Sequence, residues 1–243
     1  MINVNIGNGT YEYEDGTTIY EIAVCNGKLC ELSKVLTESC TIKFVTTASH
    51  IGNECYRRSV TFMMLKAFYK VAGRQNVDKI SVQHSISKGY YCKVYGTVKV
   101  DDFFVRQVKE EMRNLVKRDI LITKEALSAS KAIEKFGRYG MKDKEHLLKY
   151  RRASTVKVYK IEGFEDYFYG YMAYSTGELK YFDLIPYDEG FVLQLPVKEN
   201  PVIVPEFIPQ IKIFNVLKET TSWAGKLGVS TIGQVNDKIT NGT

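Results

Sequence analysis

Paired arginines, clustered hydroxyls and closely spaced tyrosines are the groups in this chain best suited to hold a phosphate, a carboxylate or a base. Arg57 and Arg58 are adjacent. The segment His84-Ser85-Ile86-Ser87-Lys88-Gly89-Tyr90-Tyr91 sets a histidine, two hydroxyls and a lysine around one glycine turn. Such a set can grip an anion or a ribose, and turn chemistry alone accounts for it equally well. Tyr167, Tyr169 and Tyr171 are spaced two apart, with Tyr174 and Tyr181 further along. On a strand, that spacing puts three rings on one face. There they can stack bases, or half-bury against a core with their hydroxyls at the rim.

Other chemistries lack their residues. No GxxxxGK[ST] loop occurs; Ala224-Gly225-Lys226 has neither the upstream glycine nor the following hydroxyl. There is no GxSxG, HxxxH or HExxH, and no GxGxxG after a strand. The histidines (His50, His84, His146) are scattered, which argues against a His-rich metal centre. The five cysteines (Cys25, Cys30, Cys40, Cys55, Cys92) include no CxxC pair and read as reduced thiols of a cytoplasmic protein. His84 lies eight residues before Cys92, and a Cys–His nucleophile would need the fold to join them. The balance of 34 basic and 28 acidic residues gives a net charge of +6, which permits phosphate-rich partners without requiring them. Basic residues gather at Arg57-Arg58, Arg113 to Arg118 and Lys144 to Arg152; such runs also serve as plain solvated helix faces. With 243 residues, 44% of them hydrophobic, the chain can build one large core or two smaller ones. It has no signal-peptide pattern at its start and no stretch expected to enter a membrane.

The elements that must position these groups fall into three parts. Residues 2–6 and 11–13 alternate around Gly7-Asn8-Gly9, with further turns at Asp15-Gly16 and Asn26-Gly27 and another strand over 41–46. This predicts a small β-rich module over 1–48 that leans on the larger second part of the chain. From Glu54 the apolar spacing becomes helical up to Gly73. Strands are expected at 79–82 and 90–98, a helix over 102–118 capped by Asp101 or Asp102, a helix from Thr123 to Phe136 stopped by Gly137, and a short basic helix over 142–150. Residues 155–195 read as an antiparallel meander. Four prolines (Pro196, Pro201, Pro205, Pro209) predict an extended stretch, succeeded by a helix over 215–227 that carries Trp223. The fold class is therefore α+β: a small β-grasp-like N-terminal module, then a two-layer domain of helices on an antiparallel sheet over 54–199, then a tail over 200–243.

Several blocks carry a family resemblance. DGTT with NGKLCEL and TIKFVT resembles a TGS domain. CYRRSVTFMMLKAFY with KISVQHSISKGYYCKV resembles the editing-type second additional domain of threonyl-tRNA synthetases. RRSVTFMMLKA, HSISKGYYCKV, EDYFYGYMAYSTGELKYFDLIPYDEGFVLQLP and PEFIPQIKIFNVLKETTSW together resemble bacterial uridine-kinase-like nucleoside kinases, which place both modules before a P-loop domain. The departures are specific. At the positions of the synthetase HxxxH stand Arg58 and Phe62, and at those of its CxxxH stand Gly170 and Tyr174. None of these side chains ligates a metal as a neutral donor or serves as the editing base. Roughly four turns of the TGS central helix have no counterpart between Ala23 and Cys25. The resemblance implies a ligand cleft made of Arg57, Arg58, His84, Lys88, Tyr169, Tyr171, Tyr174 and Lys180, with no catalytic residue and no metal. It further implies a non-catalytic front half of a nucleoside kinase, whose P-loop domain would act in cis and bring ATP and magnesium; the alternative is a tRNA- or RNA-binding module, with a relic aminoacyl-ester hydrolase last. Whether the chain is itself an enzyme stays open.

Overall fold

The computed structural model describes residues 2–13, 23–31 and 35–242. The expected turn at Asp15-Gly16 and the DGTT block lie outside the described residues, whereas Ala23–Cys25, where the TGS helix has no counterpart, is a strand. The fold is α+β, as expected. At the N-terminus, β1 (Ile2–Ile6), β2 (Gly9–Tyr13), β3 (Ala23–Cys25), β4 (Lys28–Cys30) and β5 (Cys40–Phe44) form one sheet in the order β2-β1-β5-β3-β4. Strands β1 and β5 run parallel and the other pairs antiparallel. The β3–β4 hairpin turns through Asn26 and Gly27, both at positive φ, the conformation that an Asn-Gly pair adopts readily. The core of this sheet is small: Val4, Cys30, Leu36, Cys40 and Ile42, with Tyr174 from far along the chain packed against it.

The second part is built around α1 (His50–Ala72), whose N-cap Ser49 accepts from the Gly52 N–H at 3.1 Å. Its run Val60 to Phe68 is buried on all sides and apolar apart from Thr61 and Lys66. One side meets a four-stranded antiparallel sheet of β6 (Val77–Ile86), β7 (Gly89–Gly96), β11 (Asp183–Tyr187) and β12 (Gly190–Gln194), in the order β11-β12-β7-β6. Another meets α2 (Asp102–Arg118), capped by Asp101, which accepts from the Phe104 N–H at 2.9 Å. A third meets the sheet β10-β9-β8, made of β8 (Ile122–Ser128), β9 (Thr155–Ile161) and β10 (Phe164–Tyr167). On the outer face of that sheet lie α3 (Ala129–Arg138) and α4 (Lys142–Lys149). Last come α5 (Ile211–Lys226) and α6 (Ile232–Asn241).

Three expectations are corrected. Residues 122–128 form a strand, not the start of a helix, because they pair with β9 at seven successive positions; the helix begins at Ala129 behind Ser128. It also runs past Gly137 to Arg138. The 155–195 meander is two separate sheets, joined by residues 168–182, which hold one 3-10 turn (Thr176–Glu178) and no strand. The tyrosine row therefore has no strand to align it beyond Tyr167. The proline stretch is free of helix and strand as expected, α5 starts four residues earlier than predicted, and α6 was not anticipated.

Candidate functional site

Consecutive residues on a helix point about 100° apart, and α1 uses this to send its two arginines to different places. The Arg57 Nε donates to the Tyr90 hydroxyl at 3.0 Å and its Nη1 to the Lys88 carbonyl at 3.0 Å, with the guanidinium 4.5 Å from the Tyr90 ring centre. The Arg58 Nη1 donates to the Tyr171 carbonyl at 2.7 Å. Its guanidinium lies directly over Gly170: a Cβ there would stand 2.7 Å from Arg58 Cζ, and the Gly170 φ of +113° is one that side chains rarely adopt. Arg58 fits because residue 170 has no side chain. The two positions that the resemblance aligned with different halves of the editing pattern are thus in contact.

Arg58 opens on a groove of about 360 Å³ between the two sheets, lined by Glu54, Thr61, Tyr90, Tyr167 and Phe168. At its edge Lys144 pairs with Asp166, which is 1% exposed. Burial pushes the Asp166 carboxyl above its usual range, against the pull of Lys144. Arg151 donates to the Tyr167 hydroxyl, its guanidinium 5.3 Å from that ring centre. Phe62 is fully buried, its ring 5.7 Å from that of Phe164 and 5.4 Å from that of Phe168, which lines the groove.

The remaining expected residues are dispersed. Lys88 meets Arg57 at the β6–β7 turn, where Ser87 and Lys88 both take positive φ. That turn holds the proline segment: the Ser87 Oγ accepts from the Ile208 N–H at 2.7 Å, the Ser87 N–H donates to Gln210 Oε1 at 3.3 Å, and Gln194 Nε2 donates to the Ser87 carbonyl. His84 is on the far face of the four-stranded sheet, stacked on Tyr91 at 5.9 Å and edge-on to Phe214 of α5 at 6.3 Å. Its Nε2 is buried without a hydrogen-bond partner among the described residues, and desolvation lowers its pKa. The Tyr171 hydroxyl donates to the Leu29 carbonyl of the N-terminal sheet at 3.1 Å, and Tyr174 packs on that sheet's core. Tyr169 is 81% exposed and Lys180 is exposed. The structure thus brings Arg58 and Tyr171 together, and separately Arg57, Lys88 and Tyr90, with Tyr90 also lining the Arg58 groove. Sequence reasoning missed Glu54, Thr61 and Asp166; Lys144 and Arg151 carried a signal as members of the basic run at 144–152.

Nucleophilic chemistry has no support here. Burial pushes the Cys55 thiol up to about 12 and the Cys92 thiol upward as well. Cys92 faces α1 while His84 faces α5, so the fold does not join them into a Cys–His nucleophile. Among the described residues no group of three or more His, Cys, Asp or Glu is placed to hold a metal ion. Among them, too, no helix is long and apolar enough to cross a membrane.

Comparison with known proteins returns threonine–tRNA ligases. The chain is 28% identical over 189 residues to that of Thermotoga neapolitana, covering 72% of this chain and 29% of the relative. It is 27% identical over 202 residues to that of Syntrophotalea carbinolica and 28% over 206 to that of Rickettsia canadensis, each covering 76% of this chain and 31% of the relative. The chain thus spans less than a third of the length of these curated relatives. The similarity supports the threonyl-tRNA-synthetase-like reading of the second part; it lends none to a uridine-kinase parent. No protein-family model matches the chain.

Proposed function

We propose that the chain is a tRNA- or structured-RNA-binding module that uses the groove beside Arg58 and performs no ester hydrolysis there. One observation carries the reading: a permanently charged guanidinium stands over Gly170, where the editing pattern would have a cysteine. Arginine offers five donors and no acceptor. It can hold a phosphate or carboxylate oxygen and cannot take a proton from water. The tyrosines beside it offer faces for bases. Relatives named as tRNA ligases, similar over 72–76% of this chain, add to the case. The test is fluorescence anisotropy with labelled, unfractionated tRNA over a range of KCl, beside a deacylation assay on mischarged threonine tRNA. Binding that weakens steeply with salt and is reduced in Arg58→Gln is expected. No binding at low salt, or binding that ignores salt, overturns the RNA reading; deacylation above background overturns the non-hydrolytic part.

A second reading, service to a P-loop kinase domain in cis that would hold ATP and magnesium, has one observation in its favour. Along α5 and its C-cap, Ile213, Val216, Trp223 and Leu227 are exposed and fall on one stripe at three-, four- and seven-residue spacing. Such a stripe suits a protein neighbour rather than RNA. Uridine phosphorylation by a P-loop domain, measured with and without this chain, separates the two: an unchanged rate removes the second reading.

A further inference from the structure

A cavity larger than the Arg58 groove lies elsewhere in the described residues. It measures about 630 Å³ and lies between the end of α1, the start of β6, the α3–α4 turn and the N-terminus of α6. That is the size range of small-ligand sites. Its walls are polar and carry an excess of cations. Arg74 is held at its mouth, with its Nη2 donating to the Tyr139 carbonyl at 3.0 Å and its guanidinium 5.0 and 5.3 Å from the ring centres of Tyr69 and Tyr139. Two aromatic rings and one carbonyl fix the guanidinium plane and use one of its five N–H donors, which leaves the fork oriented rather than floppy. Lys79 stands opposite, 3.5 Å from Asp143, and Lys142 opens α4 beside it. Lys79 and Asp143 offset each other, and Asp78 answers one more cation. A single positive charge and many donors remain for a ligand.

We propose that this cavity holds a phosphate group carried on a nucleotide, with Arg74, Lys79 and Lys142 as its cationic partners. Phosphate matches a preset guanidinium fork flanked by point charges. The volume exceeds what inorganic phosphate needs, and the Tyr139 ring at the rim gives a base a surface. The phosphate can come from a free nucleotide or from an RNA backbone. The cavity is distinct from the Arg58 groove and shares none of its lining residues.

The test is a titration of the ¹⁵N-labelled full chain, monitored by amide NMR, with inorganic phosphate, adenosine 5′-monophosphate and a short single-stranded RNA. The amides of Gly140, Asp143 and Gln234 are expected to shift, with the nucleotide binding more tightly than inorganic phosphate. Arg74→Gln should weaken binding about tenfold, the scale of one charge-assisted hydrogen bond. Because Arg74 packs on two rings, Lys142→Gln at the exposed start of α4 is the second variant, and an about threefold loss is expected there from one removed charge. Shifts of these amides by RNA but not by the free nucleotide assign the phosphate to an RNA backbone; shifts by the free nucleotide assign it to a small molecule. If none of the three probes moves these amides, or both variants bind as the parent does, the proposal is wrong. Failure of tRNA to bind at the Arg58 groove would leave the free-nucleotide arm untouched.

Discussion

The most informative single residue is Gly170, because its missing side chain and its φ of +113° are what let Arg58 lie where it does. Gly170→Ala should therefore do two things. It should cost about 2 kcal/mol or more in backbone strain and steric conflict, and it should push the Arg58 guanidinium off the Tyr171 carbonyl. Urea unfolding measures the first. The double variant with Arg58→Ala measures the second: it should recover the steric part of the loss and leave the strain. Equal losses with and without Arg58 would mean that the two residues do not depend on each other. A neighbouring buried group makes a separate prediction. Glu31 pairs with Lys124, and the Tyr159 hydroxyl stands between its carboxylate at 2.5 Å and the Gly170 carbonyl at 2.6 Å. Glu31→Gln keeps the shape but leaves the partly buried Lys124 uncompensated, and about 1–3 kcal/mol of stability should go with it. Gly170 stood out in the sequence only as a departure from the CxxxH pattern, and Glu31 not at all, since a lone glutamate reveals nothing until the fold sets it beside Lys124 and Tyr159.

At the level of elements, what was legible came from local rules and what was not came from long-range pairing. Helix α2 was readable to the residue because its cap, its apolar stripe and its basic end are all local. Strand β8 was misread because Lys124, Glu125, Ala126 and Leu127 are good helix formers; pairing with β9, some thirty residues on, decides otherwise. The tyrosine row failed for a similar reason, as residues 168–182 leave one sheet to reach another and take no strand geometry on the way. The seat of α5 gives a pH prediction. Phe214 is its one buried side chain among the described residues, and it lies against Tyr91, Tyr187 and His84. The charged groups nearest this cluster are Asp188, which accepts from Tyr91, and Lys218 of α5, which pairs with Asp188. Desolvation lowers the folded-state pKa of His84 below its ordinary 6.5. The unfolded chain then binds more protons than the folded one across that window, so stability is full above pH 6.5 and falls as pH drops through it toward the folded value. Burial works to raise the Asp188 carboxyl, but its hydrogen bonds and the Lys218 charge outweigh that and hold it below its usual range, so it adds a loss only at lower pH. His84→Phe should abolish the first step and keep the second. Thermal melts between about pH 2 and 8 read both; an unchanged slope near pH 6 in the variant would mean that His84 does not set the first step.

For the whole molecule, the layered α+β plan was visible in the sequence, whereas the way the parts touch was not. The thin core of the N-terminal sheet predicted that it would lean on its neighbour, and it does so through Tyr171 and Tyr174. The same layering decides where an RNA can lie. The charge of +6 is too small for a uniformly basic surface; on the proposed RNA reading, local density carries the binding. The run from Lys142 to Arg152 supplies it, tracking α4 past the Arg58 groove, with Lys149 and Arg152 exposed and Lys144 and Arg151 turned inward to Asp166 and Tyr167. Inward members shape the groove, and outward members face solvent, where they can neutralise phosphates. Each phosphate neutralised on duplex RNA-like backbone releases roughly 0.9 of a counterion. Replacing Lys149 and Arg152 with glutamine should then flatten the slope of log affinity against log salt by about 1.5–2, while Arg58→Gln should lower affinity at every salt concentration with a slope change of at most about one. Anisotropy titrations between low and moderate KCl measure both. If the double variant keeps the parent slope, the RNA does not cross α4, and the Arg58 groove must be reached from the N-terminal sheet instead.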